Sequence, residues 1–165
     1  MWGCGDYSLW LDSSAKVVPM YKCIVLAYDG SESGQQALLE CQDLAQWSHA
    51  KLWLVAVMPD MSVNYGALDG AFSDPRVELQ DRERFQAILA DGLRRLAEAG
   101  FEARGEVVTG ESVEQISLFA SKVHANLIVV GHKHLDSWAA RWWRGSTSSA
   151  MIERAPCSVL CVITR

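Results

Sequence analysis

An α/β, doubly wound fold, a parallel sheet with helices on both faces, is what this sequence predicts, and three observations predict it. The apolar pattern switches repeatedly between a helical and a strand-like period. Its strand-like runs are short, nearly continuous and rich in Val, Ile or Leu, as strands covered on both faces are. Half of the 165 residues are apolar and 21% are charged, which suits one packed core and argues against disorder. A chain of this length is expected to form one domain.

The elements follow in order. Residues 1–19, MWGCGDYSLWLDSSAKVVP, have no basic start and no continuous apolar stretch, so they do not read as a secretory signal. They read as an extension outside the fold. Patterning begins abruptly at Met20-Tyr21-Lys22, which makes Met20 the expected natural start and 20–165 the expected domain. The first strand is expected at 23–28. A helix follows with Ala37, Leu38, Cys41, Leu44 and Ala45 on one face, and Ser33 with Gln36 as its capping box. A second strand is expected at 52–57, and then comes the one long gap, 58–76, of a length usually reserved for motion or function. Asp74-Pro75 opens a long helix with Phe85, Ile88, Leu89, Leu93 and Leu96 on one face, and Gly100 closes it.

Residues 101–108 alternate, with Phe101, Ala103 and Val107 on one side and Glu102, Arg104 and Glu106 on the other, which suits an edge strand. Ser112 with Gln115 reads as the capping box of the next helix, 127–130 as the fourth strand, Ala150, Met151 and Arg154 as a helical pattern, and 159–163 as the fifth strand. Strands that alternate with helices in this way build a parallel sheet through right-handed crossovers.

Charge and motif content exclude several functions. Twenty acids against fifteen bases give a net charge of -5, which leaves no broad basic field for nucleic acid or an anionic membrane surface. No apolar run approaches the ~18 residues of a membrane span. The five cysteines, at 4, 23, 41, 157 and 161, include no CxxC pair and fit reduced thiols in a cytoplasmic protein. Cys157 and Cys161 are about 13 Å apart by strand rise, too far to bridge. Neither a Walker A sequence nor a GxGxxG after the first strand is present. His132 and His134 do not share a face as ligand pairs do, and Ser31 and Ser146 have no identifiable base.

In an open doubly wound sheet a ligand sits beyond the carboxyl ends of the strands, where strand order reverses. The first strand ends in Asp29-Gly30-Ser31, and the fourth in Val130-Gly131-His132-Lys133-His134. Fourteen residues after Gly131 comes Gly145-Ser146-Thr147-Ser148-Ser149, leading into a helix. Unpaired N–H groups, hydroxyls and the positive end of the helix dipole suit a phosphate there, and they equally suit an ordinary Ser/Thr cap. Lys133, Arg141 and Arg144 place three cations in this arc of an acidic chain. They read either as phosphate contacts or as a solvated face above Trp138, Trp142 and Trp143.

The start at residues 20–31, the Gly131 loop, Gly145-Ser146 and the ending Ala155-Pro156-Cys157-Ser158-Val159-Leu160-Cys161-Val162 together resemble the universal stress protein family. That resemblance implies a five-stranded sheet of order 3-2-1-4-5, with Asp29 beside Gly131 at the reversal. In the nucleotide-binding branch it implies a G-x2-G-x9-G-[ST] motif that holds ATP phosphates. Asp29 would then lie near the ribose or a phosphate bridged by Mg or Mn, with Ala27 and Val57 near the adenine. Gly131 and His132 would line the phosphate path, and Gly145, Ser146 and Thr147 would donate amides and hydroxyls. The sequence departs from the motif in two places: His134 stands at the second Gly, and ten residues instead of nine separate it from Gly145. A ring there narrows the phosphate pocket or donates to it.

The expected function is therefore adenine-nucleotide binding, ATP first, in a stress-response module that signals by a change of shape. Residues 58–76 or 138–144 would be the element that moves. The alternatives are a nucleotide-free scaffold for protein interactions and a slow nucleotide hydrolase. With the fifth strand at an edge, Val159, Leu160, Cys161, Val162 and Ile163 form an apolar rim, which is expected to pair with a second copy in a homodimer.

Overall fold

The computed structural model describes residues 20–60, 75–133 and 147–164. Within them the chain runs β1 (Cys23–Ala27), α1 (Glu32–Ser48), β2 (Lys51–Met58), α2 (Pro75–Glu98), β3 (Ala103–Thr109), α3 (Ser112–Lys122), β4 (Leu127–Lys133), α4 (Thr147–Arg154) and β5 (Ser158–Thr164). The strands form one sheet in the order β3-β2-β1-β4-β5, and each neighbouring pair is parallel. The expected doubly wound fold is present. From β1 the chain steps outward through β2 and β3, then crosses to the other side of β1 as β4 and β5, so strand order reverses between β1 and β4.

Alternation along the strands divides the core between the two faces. Ile24 and Leu26 of β1 pack with Leu38 and Cys41 of α1 and Leu96 of α2. Val25, one residue out of phase, packs with Ile116 and Phe119 of α3 and Met151 of α4. Each such Leu or Ile withdrawn from water contributes about 1.5–3 kcal/mol, so β1, buried on both faces, is the axis of the domain. Pro75 starts α2, and Gly100 ends it in the left-handed region at φ +85°. Beyond that turn the Phe101 N–H donates to the Leu96 carbonyl at 2.9 Å, closing a helix end that only glycine adopts without strain.

Two expectations require correction. The fourth strand does not stop at Val130: Gly131, His132 and Lys133 pair with Val162, Ile163 and Thr164 of β5, so these residues belong to the sheet and not to a loop. Neither expected capping box forms. Ser31 caps α1 and Glu111 caps α3, each because a nearer or stronger acceptor reaches the free N–H groups first. Among the described residues no helix is long and apolar enough to cross a membrane. The extension 1–19, most of the long gap and the stretch 134–146 lie outside the described residues.

Candidate functional site

Where strand order reverses, the start of α1 is laid directly on the end of β4. The Asp29 carboxylate organises the approach: its Oδ1 accepts from the Ser31 N–H at 2.9 Å and from the Ser31 hydroxyl at 2.5 Å. The Ser31 Oγ in turn accepts from the Gly34 N–H at 3.1 Å, which satisfies one free donor of the helix. Gly34 leaves room for this arrangement, since a Cβ there would stand 2.7 Å from Asp29 Oδ1. At Gly131 the fit is closer still. A Cβ there would lie 2.2 Å from the Ser33 carbonyl oxygen and 2.7 Å from the Gly34 nitrogen, so backbone meets backbone.

Beside this junction opens a crevice of about 160 Å³. Ala27, Val55 and Val130 line it from adjacent strands in one register row, with Val57 one step further along β2. Ser112 and Ile116 of α3 close the opposite wall, while Asp29, Gly34 and Gly131 stand at the junction with α1. Two N–H groups at the start of α3 are already occupied, because the Glu111 carboxylate accepts from Val113 and Glu114 at 3.0 and 2.8 Å. Among the described residues the crevice side chains are mostly apolar, with Asp29 as the one carboxylate.

Tyr28 also lines the crevice, and its hydroxyl donates to Asp91 Oδ2 of α2 at 3.3 Å. Burial, and then the neighbouring Asp91 carboxylate, push its phenol above the ordinary value. Asp91 itself is held down to about 2 by hydrogen bonds from Arg95 and Arg94. Burial pushes the Cys41 thiol up to about 12, so it is a packing group in α1 and not a nucleophile.

Of the residues singled out from sequence, Ala27, Asp29, Val57 and Gly131 are brought together on the crevice. His132 and Lys133 extend β4 beyond Gly131, and Thr147 is the first residue of α4. His134, Arg141, Arg144, Gly145 and Ser146 lie outside the described residues. Sequence reasoning missed Val55, Val130, Ser112 and Ile116. The first two had a signal, since they occupy the Ala27 row on both neighbouring strands. The α3 pair had none, because only the packed sheet shows that this helix start reaches across. Among the described residues no three His, Cys, Asp or Glu side chains gather as a metal site. Asp29 Oδ2, free of hydrogen bonds from described residues, is the crevice oxygen that could meet a cation brought by a ligand.

Comparison with known proteins is consistent across sequence and structure. The sequence profile of the universal stress protein family matches residues 20–162. A relative from Staphylococcus saprophyticus named as a universal stress protein is 31% identical over 149 residues, which span 87% of this chain and 84% of the relative. A crystal structure from the universal stress protein family of Burkholderia pseudomallei superposes with a TM-score of 0.67 at 27% identity, covering 87% of this chain and 96% of that one. A universal stress protein crystallised in complex with cAMP superposes with a TM-score of 0.64 at 26% identity, covering 88% of this chain and 98% of that one.

Proposed function

The chain belongs to the universal stress protein family, and from that premise we propose that the crevice at the strand-order reversal takes up an adenine nucleotide, ATP in the first instance. The observation that carries the reading is the crevice itself: a slot lined by Ala27, Val55, Val57, Ile116 and Val130, with Asp29 as the one carboxylate among the described residues. Its volume of about 160 Å³ is suited to one flat heterocycle and falls short of the roughly 300–1,000 Å³ that encloses a whole small ligand. The base would enter and the ribose and phosphates would remain at the mouth, near Asp29 and Gly131. The universal stress protein crystallised in complex with cAMP supports an adenine nucleotide as the ligand. Mg or Mn, if the ligand carries one, would meet Asp29 Oδ2 together with phosphate oxygens.

The proposal extends to a cytoplasmic, homodimeric, non-catalytic module in stress response that answers nucleotide with a change of shape. Among the described residues Asp29 is the only carboxylate on the crevice and its Oδ1 is engaged by Ser31, which supports binding over efficient hydrolysis. The dimer rests on β5, an edge strand whose outer side no described strand covers and whose Ile163 is 59% exposed. Light scattering at micromolar concentration is expected to return twice the chain mass, and a monomer removes this part.

The nucleotide part is tested by thermal shift. For a Kd of about 10 μM, ligand at a hundredfold excess stabilises the fold by about 2.7 kcal/mol. A domain of this size then melts roughly 5–10 °C higher. ATP, AMP and cAMP, each with and without Mg or Mn, are the arms, and no shift in any of them overturns the reading. The second reading, a scaffold with an empty crevice, is favoured by one observation: Gly131 is already required by the seat of α1, whether or not a ligand binds.

A further inference from the structure

The opposite pole of the sheet, at the amino ends of the strands, carries a larger concavity that the proposed function does not use. It is a groove of about 1180 Å³ at the starts of β1, β2 and β3, bordered by the last turns of α2 and α3. Trp53, Leu93, Phe101 and Val123 are half-buried and give it an apolar lining. The Trp53 ring stands edge-on to Phe119 at 5.8 Å, and the Arg104 guanidinium lies over it at 5.8 Å. Lys22, Lys51, Arg104 and Lys122 line the groove as exposed side chains, against one lining acid, Glu102.

Lys122 is committed to Glu106 at 2.8 Å, and Glu102 offsets one more cation. The carboxyl ends of α2 and α3 each carry about half a negative charge and together offset about another. The groove is still left positive, in a chain of net charge -5. The excess rests on Lys22 and Lys51, which enter no ion pair with any described residue and stand side by side, the Lys51 N–H donating to the Lys22 carbonyl at 3.0 Å. Positive charge beside exposed aromatic surface calls for an occupant with both acids and apolar side chains. Size decides which kind. The groove exceeds the roughly 300–1,000 Å³ that encloses a small ligand. It crosses three strand starts, about 10 Å, which is the reach of about three extended residues. A nucleic acid would extend a run of negative charge over the surface of an acidic chain, whereas a short peptide keeps its acids within the groove.

We propose that the amino-pole groove is a docking surface for a short acidic segment of another protein, in which about three aromatic or leucine residues are flanked on both sides by Asp or Glu. The apolar residues cover Trp53, Leu93 and Phe101, the acids on one side meet Lys22 and Lys51, and those on the other meet Arg104. Arg and Trp are among the residue types that most often anchor such interfaces, and Arg104 and Trp53 are already in contact. The groove is separate from the crevice at the other pole, so the docking holds whether or not a nucleotide binds.

Fluorescence anisotropy of a labelled peptide, Glu-Asp-Phe-Leu-Phe-Asp-Glu, titrated with the full chain tests it. Saturable binding is expected with a Kd of about 100 μM or tighter. Replacing the Phe and Leu of the peptide by Ser, or its acids by Lys, is expected to weaken binding about tenfold or more. Lys22→Glu with Lys51→Glu is expected to weaken it by about tenfold as well, while the urea midpoint and whatever thermal shift cAMP produces stay unchanged. Both side chains are exposed, so folding is not at stake. In amide NMR the peptide is expected to shift residues 51–53 and 101–104 and to leave 27–31 in place. No saturation by about 1 mM peptide overturns the proposal. Equal binding of the Ser peptide also overturns it, by reducing the contact to charge alone. Binding untouched by the two lysine reversals overturns it by placing the peptide elsewhere. Displacement of the peptide by a short oligothymidylate at lower concentration than by unlabelled peptide overturns it by assigning the groove to nucleic acid.

Discussion

At the carboxyl pole of the sheet α1 sits so closely on β4 that Gly131 has no space for a Cβ, whereas at the amino pole the strand starts stand around a groove of about 1180 Å³ walled by long basic and aromatic side chains. One pole is shaped by backbone and the other by side chains. Backbone cannot yield, so a crevice made with it is held to one form and suits a small ligand of fixed shape. Lys and Arg side chains retain many rotamers, so the groove they line can change shape. The concavity at the strand-order reversal is thus the rigid one and the groove at the other end the compliant one.

The largest expected effect tests the rigid pole directly. Gly131→Ala forces a methyl into the Ser33 carbonyl and is expected to lower stability by about 3 kcal/mol in urea unfolding. Lys51→Ala, at the compliant pole, is expected to stay within about 0.5 kcal/mol. Equal losses at the two positions would break the comparison. A smaller effect sharpens it: Ser31→Ala removes the α1 cap and the partner of Asp29 Oδ1, and is expected to cost about 1 kcal/mol by the same measurement.

The smallest effect concerns α2, on the flank between the poles. Asp91, bound by Arg95 and Arg94, has its folded pKa held at about 2 against an ordinary 3.8. A carboxylate depressed on folding stabilises above its unfolded pKa and loses that contribution as pH falls through the folded one. The advantage of the unaltered chain over Asp91→Asn is therefore expected in full near pH 6 and gone toward pH 2. Because Asp91 and Arg95 are more than a third exposed, solvent screening limits it to about 0.5–1 kcal/mol. Melting curves across that range check both sign and size, and an advantage that persists at pH 2 contradicts the assignment.

Legibility differed in the same way between the sheet and the site. The buried strands could be read because residues such as Ile24, Val25 and Leu26 have no choice but to be covered on both sides. The position of a crevice at the strand-order reversal could be read from topology, and Asp29, Ala27, Val57 and Gly131 line the one found there. The caps were misassigned because Ser31 and Ser33 are equivalent as local sequence, and Asp29 alone decides between them by binding Ser31. Gly131 was read only as lining a phosphate path; that the start of α1 packs against it too closely for a Cβ had no local signal.

By itself, then, the sequence determined the succession of strands and helices and the faces they bury, since hydrophobic periodicity is a local property that each segment carries with it. Only the tertiary structure decided what surrounds the crevice, which hydroxyl caps α1, how far β4 runs and that lysines from two strand starts share one groove. Those outcomes depend on distances between residues remote in the chain, and such distances exist only once the sheet has closed on its helices.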